Sequence, residues 1–136
     1  QDRAKSEGKE LTFQSEGGEA NVEWDDLHVR SAIENLLDNA LNYNPAGTNV
    51  LLHLSIMDDW IEISVKDDGI GISEEEQHLV FERFYRVQRG NLHDVKGFGL
   101  GLNYVQLVCE AHKGSLSLVS AKGKGAAFTM KLPKHG

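Results

Sequence analysis

At 136 residues the chain has room for one packed core and too little for two domains of ordinary size, so its motifs belong to one site. Hydrophobic residues at 40% and charged residues at 26% are the balance of a folded domain, and the net charge of -7 repels polyanions and argues against general nucleic-acid binding. Cys109 is the single cysteine, which excludes an intrachain disulfide, and no apolar run approaches the roughly 18 residues of a membrane span.

Residues 1–10 are polar and aperiodic and read as a linker. With neither an initiating Met nor a signal-peptide core, the sequence reads as a segment cut from something longer, its domain proper expected over 11–134. Strands are expected at 11–14 and 20–24. From Asp25, which can cap a helix, Val29, Ile33, Leu36, Leu37, Ala40 and Leu41 recur at helical spacing until Pro45 and Gly47 end the pattern. Val50, Leu52, Leu54 and Ile56 alternate with their neighbours, as do Ile61, Ile63 and Val65, and Asp58-Asp59 suits the turn of a hairpin between them. Ser73 with Glu76 forms a capping box for a short acidic helix. Residues 86–96 show no period, carry Arg86, Arg89, His93, Asp94 and Lys96, and read as a long functional loop. A helix over about 100–112 ends at Gly114, and strands at 115–121 and 126–132 turn at Lys122-Gly-Lys-Gly. Helices mixed with hairpins, rather than strict strand-helix alternation, predict a two-layer α+β sandwich in which about five strands of a mixed sheet pack on about three helices.

Three places carry chemistry. Asn35 and Asn39 are four apart on the first helix and point the same way, with Asn42 and Tyr43 continuing the stripe. Asn is a poor helix former, so three on one stripe favour a function, and an amide oxygen suits Mg²⁺, which binds mostly through water and phosphate oxygens. Asp67 ends a strand just before Gly69 and Gly71; its carboxylate can accept from the exocyclic amine of adenine while the glycines let backbone approach a flat base. Gly97, Gly99 and Gly101 open the last helix, whose free amides can face a polyphosphate, flanked by Arg86, Arg89 and Lys96 as sources of positive charge. Arg86 ranks first among these because the aromatics Phe81, Phe84 and Tyr85 can anchor its loop. These glycines lack the spacing of a dinucleotide fingerprint, and no Gly-Lys pair precedes Ser or Thr as a P-loop requires. On residues alone, Gly123 and Gly125 read as a plain hairpin turn.

Four segments in this order, Asn35-Leu-Leu-Asp-Asn39-Ala-Leu-Asn42-Tyr43, Asp67-Asp-Gly69-Ile-Gly71-Ile72, Gly97-Phe98-Gly99-Leu100-Gly101-Leu102 and Gly123-Lys-Gly125-Ala-Ala-Phe128, are together specific. Over about residues 8–134 the chain resembles the catalytic and ATP-binding domain of a sensor histidine kinase, in the superfamily shared with gyrase, heat-shock chaperone and MutL ATPases. The resemblance implies the Bergerat ATP-binding fold, with ATP and Mg²⁺ as cofactors. It assigns Asn39 to Mg²⁺ with Asn35 nearby, Asp67 to the adenine amine with Gly69, Gly71 and Ile72 shaping the pocket, and Tyr43 beside the base. An ATP lid over about 84–100 would contribute Tyr85, Arg86, Lys96, Gly97, Phe98, Gly99 and Leu100, followed by Gly101 and Leu102, while Gly125 and Phe128 complete the floor. Asn39 and Arg86 are the expected catalytic residues. Asn42 stands where these kinases commonly carry Lys or Arg, and Phe98 where a small Thr is commoner, departures that bear on ATP affinity.

Two further readings follow. The ATPase relatives carry a water-activating Glu four residues before the metal Asn; here that place is Asn35, and Glu34 points about 100° away on a regular helix, which favours phosphoryl transfer over hydrolysis. None of the histidines His28, His53, His78, His93, His112 and His135 lies in the context of a phosphoacceptor helix, so the acceptor is expected on an upstream dimerisation and histidine-phosphotransfer domain, with a response regulator receiver domain as the next partner. A homodimeric parent and a monomeric isolated domain are expected; the single cysteine makes a cytoplasmic location the default, with or without a membrane anchor on the parent, and the negative charge predicts no nucleic-acid partner. The alternative reading is a degenerate kinase acting as a nucleotide-binding regulatory module, motivated by Asn42; an ATPase or serine kinase is disfavoured by Asn35.

Overall fold

The computed structural model describes residues 10–18, 20–77, 79 and 98–135. Strand β1 (Glu10–Glu16) leads to helix α1 (Asp26–Tyr43) and then to a hairpin of β2 (Asn49–Ile56) and β3 (Trp60–Asp67). The one-turn helix α2 (Glu74–Gln77) and helix α3 (Phe98–Ala111) precede a second hairpin, β4 (Ser115–Ser120) and β5 (Ala126–Pro133). The five strands form one sheet in the order β1-β2-β3-β5-β4. β1 runs parallel to β2 across the α1 crossover and every other pairing is antiparallel, giving the mixed sheet and α+β sandwich that the pattern of elements predicts.

α1 starts where Asp25 Oδ1 accepts from the His28 amide at 3.2 Å, while Asp25 Oδ2 lies 2.6 Å from His28 Nδ1. The side-chain bond to His28, reinforced by the amide, holds the Asp25 carboxyl below its usual range. The helix stops at Asn44, whose extended backbone (φ -108, ψ 151) is what the following Pro45 imposes. Between these ends, Val29, Ala32, Leu36 and Ala40 return to one face at three- and four-residue steps and are buried against the sheet.

The sheet meets that face with alternate residues. Ile61, Ile63 and Val65 of β3 lie beside Leu132, Met130 and Phe128 of β5, all buried, and α3 adds Leu102, Val105, Val108 and Cys109. On the opposite face polar groups pair with each other: Ser64 Oγ and Thr129 Oγ1 are 3.0 Å apart, and the Lys131 ammonium sits 4.8 Å from the centre of the Trp60 ring. Burial and period together explain why the helices pack on one side only.

The strand expected at 20–24 is not formed. This stretch runs past the end of β5, where Glu23 N donates to Lys134 O at 2.7 Å and Trp24 Nε1 to Pro133 O at 2.7 Å. Ala20 and Trp24 pack on the core and produce the alternation, but the backbone is tied by isolated bonds rather than a ladder. α3 begins at Phe98 rather than about 100, and β3 runs on to Asp67 because its ladder with β5 continues to the pair Asp67↔Ala126. The Ser73 capping box takes a variant form in which the hydroxyl donates to Glu76 Oε1 at 3.2 Å. Residues 80–97, and with them most of the expected lid, lie outside the described residues.

Candidate nucleotide site

Asp67 is the last rung of β3, flanked by Val50 of β2 and Ala126 of β5, on the same side of the sheet as Ile63 and Val65. It therefore faces the helix layer. Its Oδ1 accepts from Gly69 N at 3.0 Å, a turn in which the side chain closes on backbone two residues on. Asp68 is used differently: its two oxygens take the amide and the side-chain nitrogen of Asn49 at 2.7 and 3.0 Å, tying the ends of β2 and β3 together. The strand alternation thus separates two adjacent carboxylates into one that braces the sheet edge and one turned toward the helices.

The loop after Asp67 is bonded down along its length. Ile70 O accepts from Gly123 N at 2.7 Å, Ile72 N donates to Ser120 Oγ at 2.8 Å, and Ile72 O accepts from Gln77 Nε2 at 2.9 Å. Ser120 Oγ donates to Gly125 O at 2.6 Å, and Gln77 Nε2 reaches Ser120 O at 2.8 Å, so one hydroxyl and one amide join the loop, α2 and the β4–β5 turn. Gly125 is more than a turn residue. It has φ +76, and a Cβ there would lie 2.0 Å from the Asp67 carbonyl oxygen, so the turn rests directly on the backbone that presents the carboxylate. Ile72, Leu102 and Phe128 are buried in the core beneath, and Gly71 is buried within the loop.

α1 supplies the other wall. Asn39 is 6% exposed, and its Oδ1 is a buried oxygen with no hydrogen-bond partner among the described residues. Buried polar atoms are nearly always partnered, and an orphaned amide oxygen in a native core calls for an ion, a water or a ligand. Asn35, one turn earlier, and Asn42 are half-buried, and Tyr43 is the last residue of the helix. Gly99, Leu100 and Gly101 lie in the first turn of α3, where a helix leaves its amides without intrahelical partners. Among the described residues no group of three or more His, Cys, Asp and Glu side chains gathers as a metal cage. A lone amide oxygen fits Mg²⁺ held largely by phosphate and water, not a cation enclosed by protein carboxylates. Tyr85, Arg86, Lys96 and Gly97 lie outside the described residues.

Sequence reasoning missed Asn44, Ser120 and Gln77. Asn44 is 4% exposed and bridges the end of α1 to the loop after Asp67. An Asn directly before a Pro at a helix end carried that signal. Ser120 and Gln77 carried none, because a strand Ser and a helical Gln are ordinary in both places.

The fold is a two-layer sandwich with a carboxylate at a strand end, glycine-supported loops around it and, among the described residues, an unsatisfied amide on the facing helix. The sequence matches the family described as histidine kinase-, DNA gyrase B-, and HSP90-like ATPase over residues 24–136, and the chain belongs to that family. It is 42% identical over 111 residues to the sensor protein RprX of Bacteroides fragilis, covering 80% of this chain and 21% of RprX. The mycobacterial sensor histidine kinase MprB superposes with a TM-score of 0.75 at 31% identity, covering 98% of this chain and 87% of that one. Full-length ShkA in complex with AMPPNP superposes with a TM-score of 0.82 at 28% identity over 97% of this chain and 27% of ShkA. The chain spans 21% of the length of RprX and 27% of that of the sensor histidine kinase RppB of Synechocystis. No helix among the described residues is long and apolar enough to cross a membrane.

Proposed function

We propose that this chain is the catalytic and ATP-binding domain of a two-component sensor histidine kinase, passing the γ-phosphoryl of ATP to a histidine on a dimerisation and histidine-phosphotransfer domain of the same parent. The observation that carries the reading is the buried Asn39 Oδ1 on α1, without a partner among the described residues, in a fold whose Asp67 carboxylate faces the same layer. Asp67 would accept from the adenine amine, and the loop from Gly69 to Ile72 would shape the pocket for the base. The AMPPNP complex of ShkA, a protein of the same fold, supports an adenine nucleotide as the ligand. Asn39 would hold Mg²⁺, with Asn35 close to metal or phosphate, and the ion when bound neutralises charge on the phosphates and orients the transferred group.

This chain's own residues bind and position. Asn39 and Asn35 have no basicity near neutral pH, so neither removes a proton from water. Catalysis is then placement of ATP against an acceptor brought by the partner domain, with Arg86 and Lys96 of the lid supplying charge to the phosphates. The phosphoryl continues to a response regulator receiver domain.

The test is ATP carrying a labelled γ-phosphate, given to the parent protein and separately to this chain. Acid-labile label on a histidine of the parent, with none on the isolated chain, is the expected result. A parent with an intact acceptor that binds ATP and never becomes labelled would support a regulatory nucleotide-binding module instead. Steady ATP turnover by the isolated chain would refute the transfer reading.

A further inference from the structure

Resting on the nucleotide-site reading above, we propose that Asn44 is a positioning residue, an amide clamp that holds the Asp67 loop in register with the α1 face carrying Asn39. Asn44 ends α1 in an extended conformation and is almost fully buried. Its Nδ2 donates back to Ala40 O at 2.8 Å, taking up one of the carbonyls that a helix leaves without an internal partner in its last turn. Its Oδ1 accepts from Ile70 N at 3.2 Å. Gly69 makes that approach possible: a Cβ there would lie 2.0 Å from Asn44 Oδ1, so the loop backbone rests on the amide itself. Gly69 N in turn donates to Asp67 Oδ1 at 3.0 Å.

A short bonded path therefore runs from the Asp67 carboxylate through Gly69 and Ile70 to Asn44, and from Asn44 to Ala40, the residue next to Asn39 in α1. The clamp needs a donor and an acceptor on one short planar group, which only Asn offers at this length. A carboxylate would present an acceptor to Ala40 O, and an aliphatic side chain would leave both backbone groups buried without partners. The consequence is positional. The adenine-reading carboxylate and the metal-type amide sit on elements that are distant in sequence, and Asn44 sets their relative placement without itself touching nucleotide.

The test compares Asn44→Ala and Asn44→Ser with the wild-type chain by adenosine titration and by amide hydrogen exchange. Adenosine reads the base pocket alone, with neither phosphates nor metal. Thermal midpoints are measured separately and binding is recorded well below them, so a loss of folded protein is not read as a loss of affinity. Asn44→Ala is expected to weaken adenosine about tenfold and to speed exchange at Ile70 about tenfold, leaving Leu36 in α1 protected, with Asn44→Ser in between because its hydroxyl can serve one end of the clamp. Adenosine binding within twofold of wild type in Asn44→Ala, or Ile70 exchange that does not change, overturns the proposal. Failure of the wild type to bind adenosine counts against the nucleotide reading, and Ile70 exchange still decides whether Asn44 holds the loop.

Discussion

Gly123 and Gly125 belong to one turn and one backbone region, with φ of +82 and +76, yet they differ in what lies above them. Alanine at either position must enter the left-handed region, at a cost of about 1 kcal/mol. At Gly123 nothing lies within 4 Å of the new Cβ, so that conformational cost is all there is. At Gly125 the Cβ would meet the Asp67 carbonyl oxygen at 2.0 Å and Asp68 Cα at 3.1 Å, where ordinary contact begins at 3.4 Å. Relief requires the turn and the end of β3 to part by roughly 1.4 Å, at the rung Asp67↔Ala126, and such overpacking costs roughly 1–3 kcal/mol more. Gly123→Ala should therefore lose about 1 kcal/mol and Gly125→Ala about 2–4 kcal/mol, which at about 4 °C per kcal/mol separates their thermal midpoints by roughly 4–12 °C. Urea and thermal unfolding measure the stabilities, and adenosine titration below both midpoints measures the site. Because the displaced backbone is that of Asp67, Gly125→Ala should also weaken adenosine about tenfold or more while Gly123→Ala stays within about twofold. Equal destabilisation of the two variants, or unaltered adenosine binding in Gly125→Ala, would refute the reasoning.

Asn39→Ala removes an oxygen that has no hydrogen-bond partner among the described residues, so its unfolding free energy should stay within about 1 kcal/mol of wild type while Mg²⁺-ATP binding in calorimetry is lost; a folded variant with full affinity would contradict the metal assignment. Cys109 is fully buried and desolvation, with a smaller contribution from Glu110, pushes its thiol up to about 11. Its labelling by a thiol reagent at neutral pH should track unfolding across a urea series, and rapid labelling of the native chain would show the packing around α3 to be wrong. The Asp25 carboxyl is depressed below the ordinary value of 3.8, so its contribution to stability is complete above that value and is lost as pH falls through the lower folded one. The stability gap between wild type and Asp25→Asn should accordingly narrow with acidification below pH 3.8, and a gap that ignores pH would mean that the bonds to His28 do not matter.

Much of the architecture was legible because burial is periodic. Val29, Leu36 and Ala40 announce α1, and the alternating Ile61, Ile63 and Val65 announce β3, since each must return to the same buried face. The segment at 20–24 misled for the same reason: Ala20 and Trp24 do pack inward, and side-chain period says nothing of whether the backbone finds a ladder partner. Strand order was likewise invisible. β5 inserts between β3 and β4, and only that long-range pairing brings Ala126 and Gly125 beside Asp67. Asp67, Gly69, Gly71 and Asn39 could be picked out as candidates from short motifs, because a strand-end carboxylate before glycines and a stripe of helical asparagines are locally unusual. The bonds that hold the site together were not legible. Asn44, Ser120 and Gln77 act across 26, 48 and 43 residues; an Asn before a Pro marks the end of a helix, but no local pattern encodes the distant partner of any of the three.

On the proposed reading, the division between holding ATP and hydrolysing it rests on one turn of α1. Hydrolysis needs a group that accepts a proton from water near the γ-phosphate, and the position that shares the Asn39 face one turn earlier is Asn35, half-buried, whose amide cannot do so at neutral pH. The neighbouring carboxylate, Glu34, is exposed and displaced by about 100° from Asn35 around an unbroken helix, away from the face that carries Asn39. With Asn39 as the proposed metal residue, a helix that turns Glu34 out to solvent would hold a metal nucleotide without consuming it. On the proposed transfer reading the nucleophile would arrive from elsewhere, because a phosphoryl group kept intact until an acceptor docks is what a transfer enzyme requires and a hydrolase does not.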